Sequence, residues 1–399
     1  MIATQTRPAS FAHRMDSLEV STVREILKVT EMPDVISFAG GLPAPELFPI
    51  QEMAQAFYKV IAEDGRSSLQ YSTTEGHMPL RQYIAGRMQA KGIPAAANNI
   101  LITSGSQQGL DLVAKVLLNA CDKVIVERPT YLAAIQTFSV FEAQFITVAS
   151  DDEGIDVDDV ERRLQQHPDV KLIYLVANFQ NPSGTTLSFA RRKRLIQLAQ
   201  TYGVRILEDD PYGELRYRGE TIPPLKSLDP TGLVIYLSTF SKTMAPGLRL
   251  GWLVAEPETY QKLVIAKQAT DLHTNTVAQR AAHHYLTEHS ADQHIAKIRA
   301  VYGERCRRML ESLARYFPSE VRWTKPEGGM FLWAELPPHI RTEDVLKDAI
   351  AEKIAFVPGA AFFASQKEHN FMRLNFSNQV PEKIEEGIKR LSSVIARHL

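Results

Sequence analysis

A lysine attacks a carbonyl only when its amine is uncharged, and Lys242 stands where that can be arranged. It closes the stretch Ser238-Thr239-Phe240-Ser241-Lys242, just after the apolar run 234–237 and before Pro246-Gly247-Leu248-Arg249. An amine at a strand end, among small hydroxyls and glycine, can project into a cleft. A free lysine titrates near ~10.4, so burial or a cationic neighbour such as Arg249 must favour the neutral, aldehyde-attacking form. By itself the motif is short, and a surface lysine in a loop explains it as well.

Four more stretches carry chemistry-bearing residues directly after apolar runs. Ser104-Gly105-Ser106-Gln107-Gln108 follows the run 100–103 and opens a helix. Small residues there let backbone N–H groups approach an anion such as a cofactor phosphate; an ordinary serine N-cap is the commoner meaning. Leu207-Glu208-Asp209-Asp210-Pro211-Tyr212 offers a carboxylate able to hold a pyridinium N–H and a tyrosine able to reach a ring hydroxyl. A solvated acidic turn is the alternative. Ala177-Asn178-Phe179-Gln180-Asn181-Pro182-Ser183-Gly184 places Asn181 where it can donate to a ring oxygen, or it is a plain Asn-Pro turn. Tyr131, in Arg128-Pro129-Thr130-Tyr131, can stack on an aromatic ring or pack in the core.

These signals share an implied scaffold. The runs 100–103, 123–126, 172–176, 205–207, 234–237 and 250–254 are rich in Ile, Leu and Val with little polar alternation, the pattern of strands buried on both faces. Helical segments such as 107–118 and 189–202 lie between them. Strand–helix alternation predicts an α/β layer with a largely parallel sheet, whose carboxyl-terminal edge gathers ligands. Five of the strand ends then bring a lysine, a phosphate cradle, an acid, an amide and an aromatic ring to one edge.

The C-terminal third reads differently. A long helix over 292–316, the run 321–325, a Gly328-Gly329 turn, the run 330–336, a helix over 342–352, a Pro358-Gly359 loop, a strand over 371–376 and a final helix from Pro381 predict a smaller α+β domain. Residues 21–28 are expected to be helical and, with the segment ending near 37–43, to fold back on that domain. The expected division is an arm 1–17, an N-terminal part of the small domain 18–49, a large α/β domain 50–289 and the small domain 290–399.

The length of 399 residues suits two domains. A net charge of −1 argues against nucleic-acid or polybasic membrane partners. Two cysteines, Cys121 and Cys306, supply neither a metal cluster nor a disulfide framework. No signal-peptide core or membrane-length apolar segment stands out, so the expected location is the cytoplasm.

In order and spacing these motifs resemble the class I/II aminotransferases of fold type I, which use pyridoxal phosphate. Most similar is the subgroup of 2-aminoadipate and kynurenine/aminoadipate aminotransferases. Ile36-Ser37-Phe38-Ala39-Gly40-Gly41-Leu42-Pro43, Gly105-Ser106-Gln107-Gln108, Phe179-Gln180-Asn181-Pro182, Phe240-Ser241-Lys242 and Pro246-Gly247-Leu248-Arg249 carry the likeness. It implies that Lys242 links to the cofactor aldehyde and shuttles the proton, Asp209 pairs with the pyridinium, and Asn181 and Tyr212 hold the ring oxygen. Gly105, Ser106, Gln107, Thr239 and Arg249 would bind the phosphate, with Thr239 where serine is more usual. Tyr71 is similar to the tyrosine that reaches the neighbouring subunit's phosphate in a homodimer; a structural loop residue is the alternative. Arg373, inside the apolar strand 371–376, matches the arginine that grips the substrate α-carboxylate, and a planar guanidinium suits that task. Gly41 would lie near the same carboxylate.

The resemblance implies ping-pong transamination between an α-amino acid and 2-oxoglutarate. Arg24 resembles an N-terminal arginine that meets distal substrate groups, although an exposed helix face accounts for it equally. Expected substrates are 2-aminoadipate, leucine and aromatic amino acids. The competing expectations are a pyridoxal-phosphate β-lyase or decarboxylase and a non-catalytic regulator. The regulator would need a DNA-binding module of roughly 60 residues or more, for which the stretch before Arg24 is too short.

Overall fold

The computed structural model describes residues 11–15, 18 and 34–399. Its first strand, β1 (Ile36–Ser37), belongs with distant parts of the chain. The next eight form one sheet: β2 (Ile100–Thr103), β3 (Lys123–Arg128), β4 (Gln144–Asp151), β5 (Gly154–Ile155), β6 (Val170–Leu175), β7 (Arg205–Asp209), β8 (Val234–Thr239) and β9 (Gly251–Val254). Their spatial order is β2-β9-β8-β7-β6-β3-β4-β5. β4, β3, β6, β7 and β8 pair in parallel, with Tyr174 opposite Leu207 and Leu207 opposite Ile235. β9 runs antiparallel to both β8 and β2, so β2 points the same way as β8. The carboxyl ends of β2, β3, β6, β7 and β8 therefore share one edge, the geometry the sequence implies.

The cause is composition. β2, β8 and β9 are buried at every position, and β3, β6 and β7 at all but one or two, because apolar residues face helices on both sides. Leu110, Val113, Val124, Leu172, Leu207 and Leu237 pack one face. Ile125, Ile173, Leu195, Leu198 and Ile206 pack the other. The helix Phe189–Tyr202 is capped by Ser188, whose hydroxyl accepts from the Arg191 amide, and ends at Gly203 with φ +64°. The hairpin of β4 and β5 has no clear signal in the sequence: β4 lies at the rim with partly exposed residues and lacks a pure apolar run.

A second layer forms around β10 (Arg322–Trp323), β11 (Phe331–Glu335), β12 (Ile354–Ala355), β13 (Val357–Pro358) and β14 (Phe371–Asn375). Four of these make an antiparallel sheet in the order β10-β11-β14-β13, and β1 pairs in parallel with β12. Ile36 and Phe38 share a core with Phe356, Leu374 and Ile388, so residues 36–38 do fold back on the C-terminal part. The expected Pro358-Gly359 loop is instead the end of β13 running into a short 3₁₀ turn, Gly359–Phe362. Position 50 opens the helix Ile50–Ser68, and Ser290 caps the helix Ala291–Tyr316. The expected helix 21–28, and Arg24 with it, lies outside the described residues. Among the described residues no helix is long and apolar enough to cross a membrane.

Candidate active site

The shared strand edge and the C-terminal part enclose a cavity of about 290 Å³. Ser106 and Gln107 reach it from beyond β2, Tyr131 from beyond β3, Asn181 from beyond β6, and Asp209, at the end of β7, with Tyr212 just beyond it. Thr239 follows from the end of β8, and Ser241, Lys242 and Arg249 from the segment between β8 and β9. Gly41, Phe331 and Arg373 close it from the other layer. Four of the five expected strand-end signals thus project into one space with their key side chains, and the β2 signal supplies the start of a helix.

Lys242 reaches into this cavity with its Nζ donating to the Gly41 carbonyl at 2.9 Å. Burial first, then the positive charges of Arg373 and Arg249, lowers its pKa from the ordinary lysine value to about 8. The sequence pointed to Arg249 as the cationic neighbour; Arg373 acts more strongly. An appreciable fraction of neutral amine near neutral pH follows.

Asp209 is buried. Its Oδ2 accepts from the Tyr174 hydroxyl at 3.0 Å, while Oδ1 has no hydrogen-bond partner. Burial raises its pKa to about 7, with the Tyr174 hydrogen bond opposing and Asp210 reinforcing the shift. Such a carboxylate calls for a cationic donor.

Arg373 lies in β14 opposite Trp333 of β11 and Val357 of β13, which holds its side chain in place. Its Nη1 donates to Asn181 Oδ1 at 2.9 Å and its Nη2 to the Ala39 carbonyl at 2.7 Å. The guanidinium lies 4.3 Å from the Phe331 ring centre and 5.1 Å from that of Phe362. Its Nε is buried without a partner. Burial lowers its pKa to about 10, which still leaves it charged at neutral pH. Asn181 Nδ2 donates to the Tyr212 hydroxyl at 3.4 Å, so the arginine, the amide and the tyrosine form one chain. Burial raises the pKa of Tyr212, and lifts that of Tyr131 to about 12, so both hydroxyls keep their protons.

At the opposite end Gly105 caps the helix Ser106–Leu117 with φ +79°. It is the cap itself, in place of a serine, and no side chain caps this helix. Its own N–H is spent on the Thr103 carbonyl at 2.8 Å. What it contributes is space: a Cβ there would meet Arg249 Nη2 at 2.6 Å. The amides of Ser106 and Gln107, in the first helical turn, have no intrahelical acceptor. The Gln107 side chain turns to Thr137 Oγ1 at 2.7 Å. Thr239 Oγ1 donates to the Leu250 carbonyl at 2.8 Å and lies 2.9 Å from Ser241 Oγ.

Tyr71 is not brought to the cavity. It is exposed, with its ring 5.9 Å from that of His273. Four contributors escaped the sequence reading: Tyr174, Ser241, Phe331 and Asn375. Asn375 Nδ2 donates to the Gly40 carbonyl and straps the 38–41 segment beside Lys242. A tyrosine in an otherwise aliphatic buried strand was the available signal for Tyr174, since its hydroxyl needs a partner.

Comparison with known proteins decides the family. The family model for aminotransferase class I and II matches residues 33–391. The chain belongs to the class I and II aminotransferases. It is 48% identical over 394 residues to the aromatic-amino-acid aminotransferase 1 of Thermococcus litoralis, covering 98% of this chain and 94% of that one. The kynurenine aminotransferase of Pyrococcus horikoshii, solved in complex with PMP, superposes with a TM-score of 0.94 at 45% identity, covering 98% of this chain and 97% of that one. LysN, the α-aminoadipate aminotransferase of Thermus thermophilus, solved with N-(5'-phosphopyridoxyl)-L-leucine, gives 0.90 at 40% identity and 97% of each chain.

As an aminotransferase of this family the chain is an enzyme of the pyridoxal phosphate-dependent fold type I, and its residues fit that cofactor. The unpartnered Asp209 Oδ1 awaits a cationic ring N–H, Arg249 borders the space that Gly105 leaves open, and Lys242 offers the amine.

Proposed function

We propose that this aminotransferase moves amino groups from 2-aminoadipate, leucine and aromatic amino acids to 2-oxoglutarate by a ping-pong route. The observation that carries the reading is the placement of Lys242, with its depressed pKa, in one cavity with the free oxygen of Asp209 and the guanidinium of Arg373. The names of its relatives, which span aromatic, kynurenine and aminoadipate substrates, support broad specificity.

Pyridoxal phosphate, when bound, supplies an aldehyde that links to amines and a ring that withdraws electrons from the substrate Cα. Asp209 Oδ1 would hold the ring N–H. Asn181 Nδ2 and the Tyr212 hydroxyl would hold the ring oxygen, and Tyr131 would stack on the ring. The Ser106 and Gln107 amides, the Thr239 hydroxyl and Arg249 would bind the phosphate beside Gly105. Arg373 receives the substrate carboxylate near Gly41, which fixes the Cα–H bond relative to Lys242. Lys242 Nζ, neutral at the moment of reaction, removes the Cα proton and returns it on the way to product.

The reading extends to assembly. Residues 18–49 and 290–399 act as the small domain, 50–289 as the large domain and 1–17 as an arm. The enzyme works in the cytoplasm as a homodimer in which the exposed Tyr71 completes the partner's phosphate site, and Arg24 meets acidic substrate side chains. A panel of amino acids against 2-oxoglutarate tests the substrate assignment through kcat/KM ratios. Glutamate formed from leucine, 2-aminoadipate and phenylalanine supports it; release of ammonia or carbon dioxide in place of glutamate overturns it.

A further inference from the structure

Lys267 is the one fully buried lysine among the described residues, and the chemistry above does not use it. It lies on the helix Pro257–Asp271, behind the loop that leads into the phosphate-facing helix. Its Nζ donates to Gln108 Oε1 at 2.8 Å and to Asp271 Oδ1 and Oδ2 at 2.8 and 3.0 Å. Both partners go on to grip Ser104. Gln108 Oε1 accepts the Ser104 amide at 2.8 Å, and Gln108 Nε2 donates to Asp271 Oδ2 at 2.7 Å. The Ser104 hydroxyl donates to Asp271 Oδ2 at 3.1 Å and lies 3.3 Å from Thr274 Oγ1. The Ser104 carbonyl accepts from Arg249 Nη2 at 3.4 Å. Every polar group of Ser104 is thus held, and Ser104 is the residue from which Gly105 turns into the helix.

We infer that Lys267 is a positioning residue for the phosphate end of the cofactor site, acting through Gln108, Asp271 and Ser104. Two physical effects require it. A buried ammonium must have acceptors, so its bonds lock Gln108 and Asp271 into single orientations. It also cancels the negative charge that Asp271 would otherwise place beside an anion-binding loop. Burial works against both charges. The hydrogen bonds from Lys267 and Gln108 nevertheless hold the Asp271 carboxyl below its ordinary range, so it is ionised and needs its counter-charge. Lys267→Met keeps the length of the side chain while removing both effects. Gln108→Leu removes the acceptor shared by Lys267 and Ser104 and leaves the ion pair.

This inference rests on the proposed phosphate site, and the test separates the two. Dissociation constants of the apoenzyme for pyridoxal phosphate and for pyridoxal, which lacks the phosphate, are measured for the native chain, Lys267→Met and Gln108→Leu. The native protein prefers pyridoxal phosphate. Lys267→Met weakens pyridoxal phosphate roughly ten- to hundred-fold, the size expected for hydrogen bonds to a charged group, and shifts pyridoxal by less than about threefold. Gln108→Leu moves the ratio in the same direction. An unchanged ratio in both variants, or equal weakening of the two ligands, overturns the positioning role. Should Lys267→Met not fold, the ratio in Gln108→Leu alone decides. A native protein that does not discriminate between the ligands instead overturns the phosphate site itself.

Discussion

Arg373→Lys is the substitution whose cost the structure lets one work out. The guanidinium is buried, fixed by Asn181 Oδ1 and the Ala39 carbonyl, and flanked by the rings of Phe331 and Phe362. A carboxylate binding to it gains two parallel charge-assisted hydrogen bonds, each about 1.5–3 kcal/mol. A lysine ammonium is a point charge that cannot serve Asn181, Ala39 and a bidentate ligand together. Keeping part of the Coulomb attraction, the variant loses about 3–4 kcal/mol, or roughly 10²–10³ in kcat/KM. It also gives up part of the support of Asn181 Oδ1 and Ala39 O, about 1–3 kcal/mol of stability, which a thermal melt measures separately. Single-turnover rates with leucine and with isoamylamine, the same side chain without the carboxylate, isolate the contact. The native enzyme prefers leucine by at least the stated factor and the variant nearly loses that preference. If both compounds slow equally, or the preference for leucine survives, Arg373 does not bind the carboxylate.

Further outcomes follow from the titrations and the backbone. Burial raises Asp209 to about 7, above its unfolded value of 3.8, so its ionisation costs the apoenzyme stability as pH rises from about 4 through 7. Apo Asp209→Asn should lack that loss and melt higher than the native apoenzyme at pH 8, while its transamination rate falls at least ~10²-fold. Lys242, lowered to about 8 from 10.5, opposes folding fully below about pH 8, and the penalty is relieved as pH climbs from 8 towards 10.5. Apo Lys242→Met should therefore melt higher than the native apoenzyme at pH 7, with the gap closing by about pH 10; a pH-independent gap contradicts the depressed pKa. Gly105→Ala puts a side chain at φ +79° and its Cβ 2.6 Å from Arg249 Nη2. A cost of about 1–3 kcal/mol in melting experiments and faster loss of cofactor on dialysis are expected.

The strands that build the site are legible because a buried parallel sheet needs unbroken apolar runs, and residues just beyond those runs share an edge. Asp209, Asn181, Tyr131 and Lys242 come into one cavity by that rule alone. Hydrogen bonds between residues far apart in the chain are not legible in this way. Nothing local in Arg373 states that it meets Asn181 and Ala39, nor does Lys242 indicate the Gly41 carbonyl. Tyr174 shows the limit inside a strand: its period reports burial but not that its hydroxyl reaches Asp209. Gly105 read as part of an amide cradle, yet its φ turns its N–H to Thr103 and leaves the first helical amides for an anion. β4 is not legible because a rim strand with mixed exposure has no continuous apolar run.

Sodium borohydride reduction of the cofactor-loaded protein, followed by peptide mass mapping, asks most directly whether Lys242 is the amine that joins the cofactor. A pyridoxyl group on the peptide containing Lys242, near one per chain, is the expected result. An active enzyme whose Lys242 peptide returns unmodified, or whose label sits on another lysine, contradicts it.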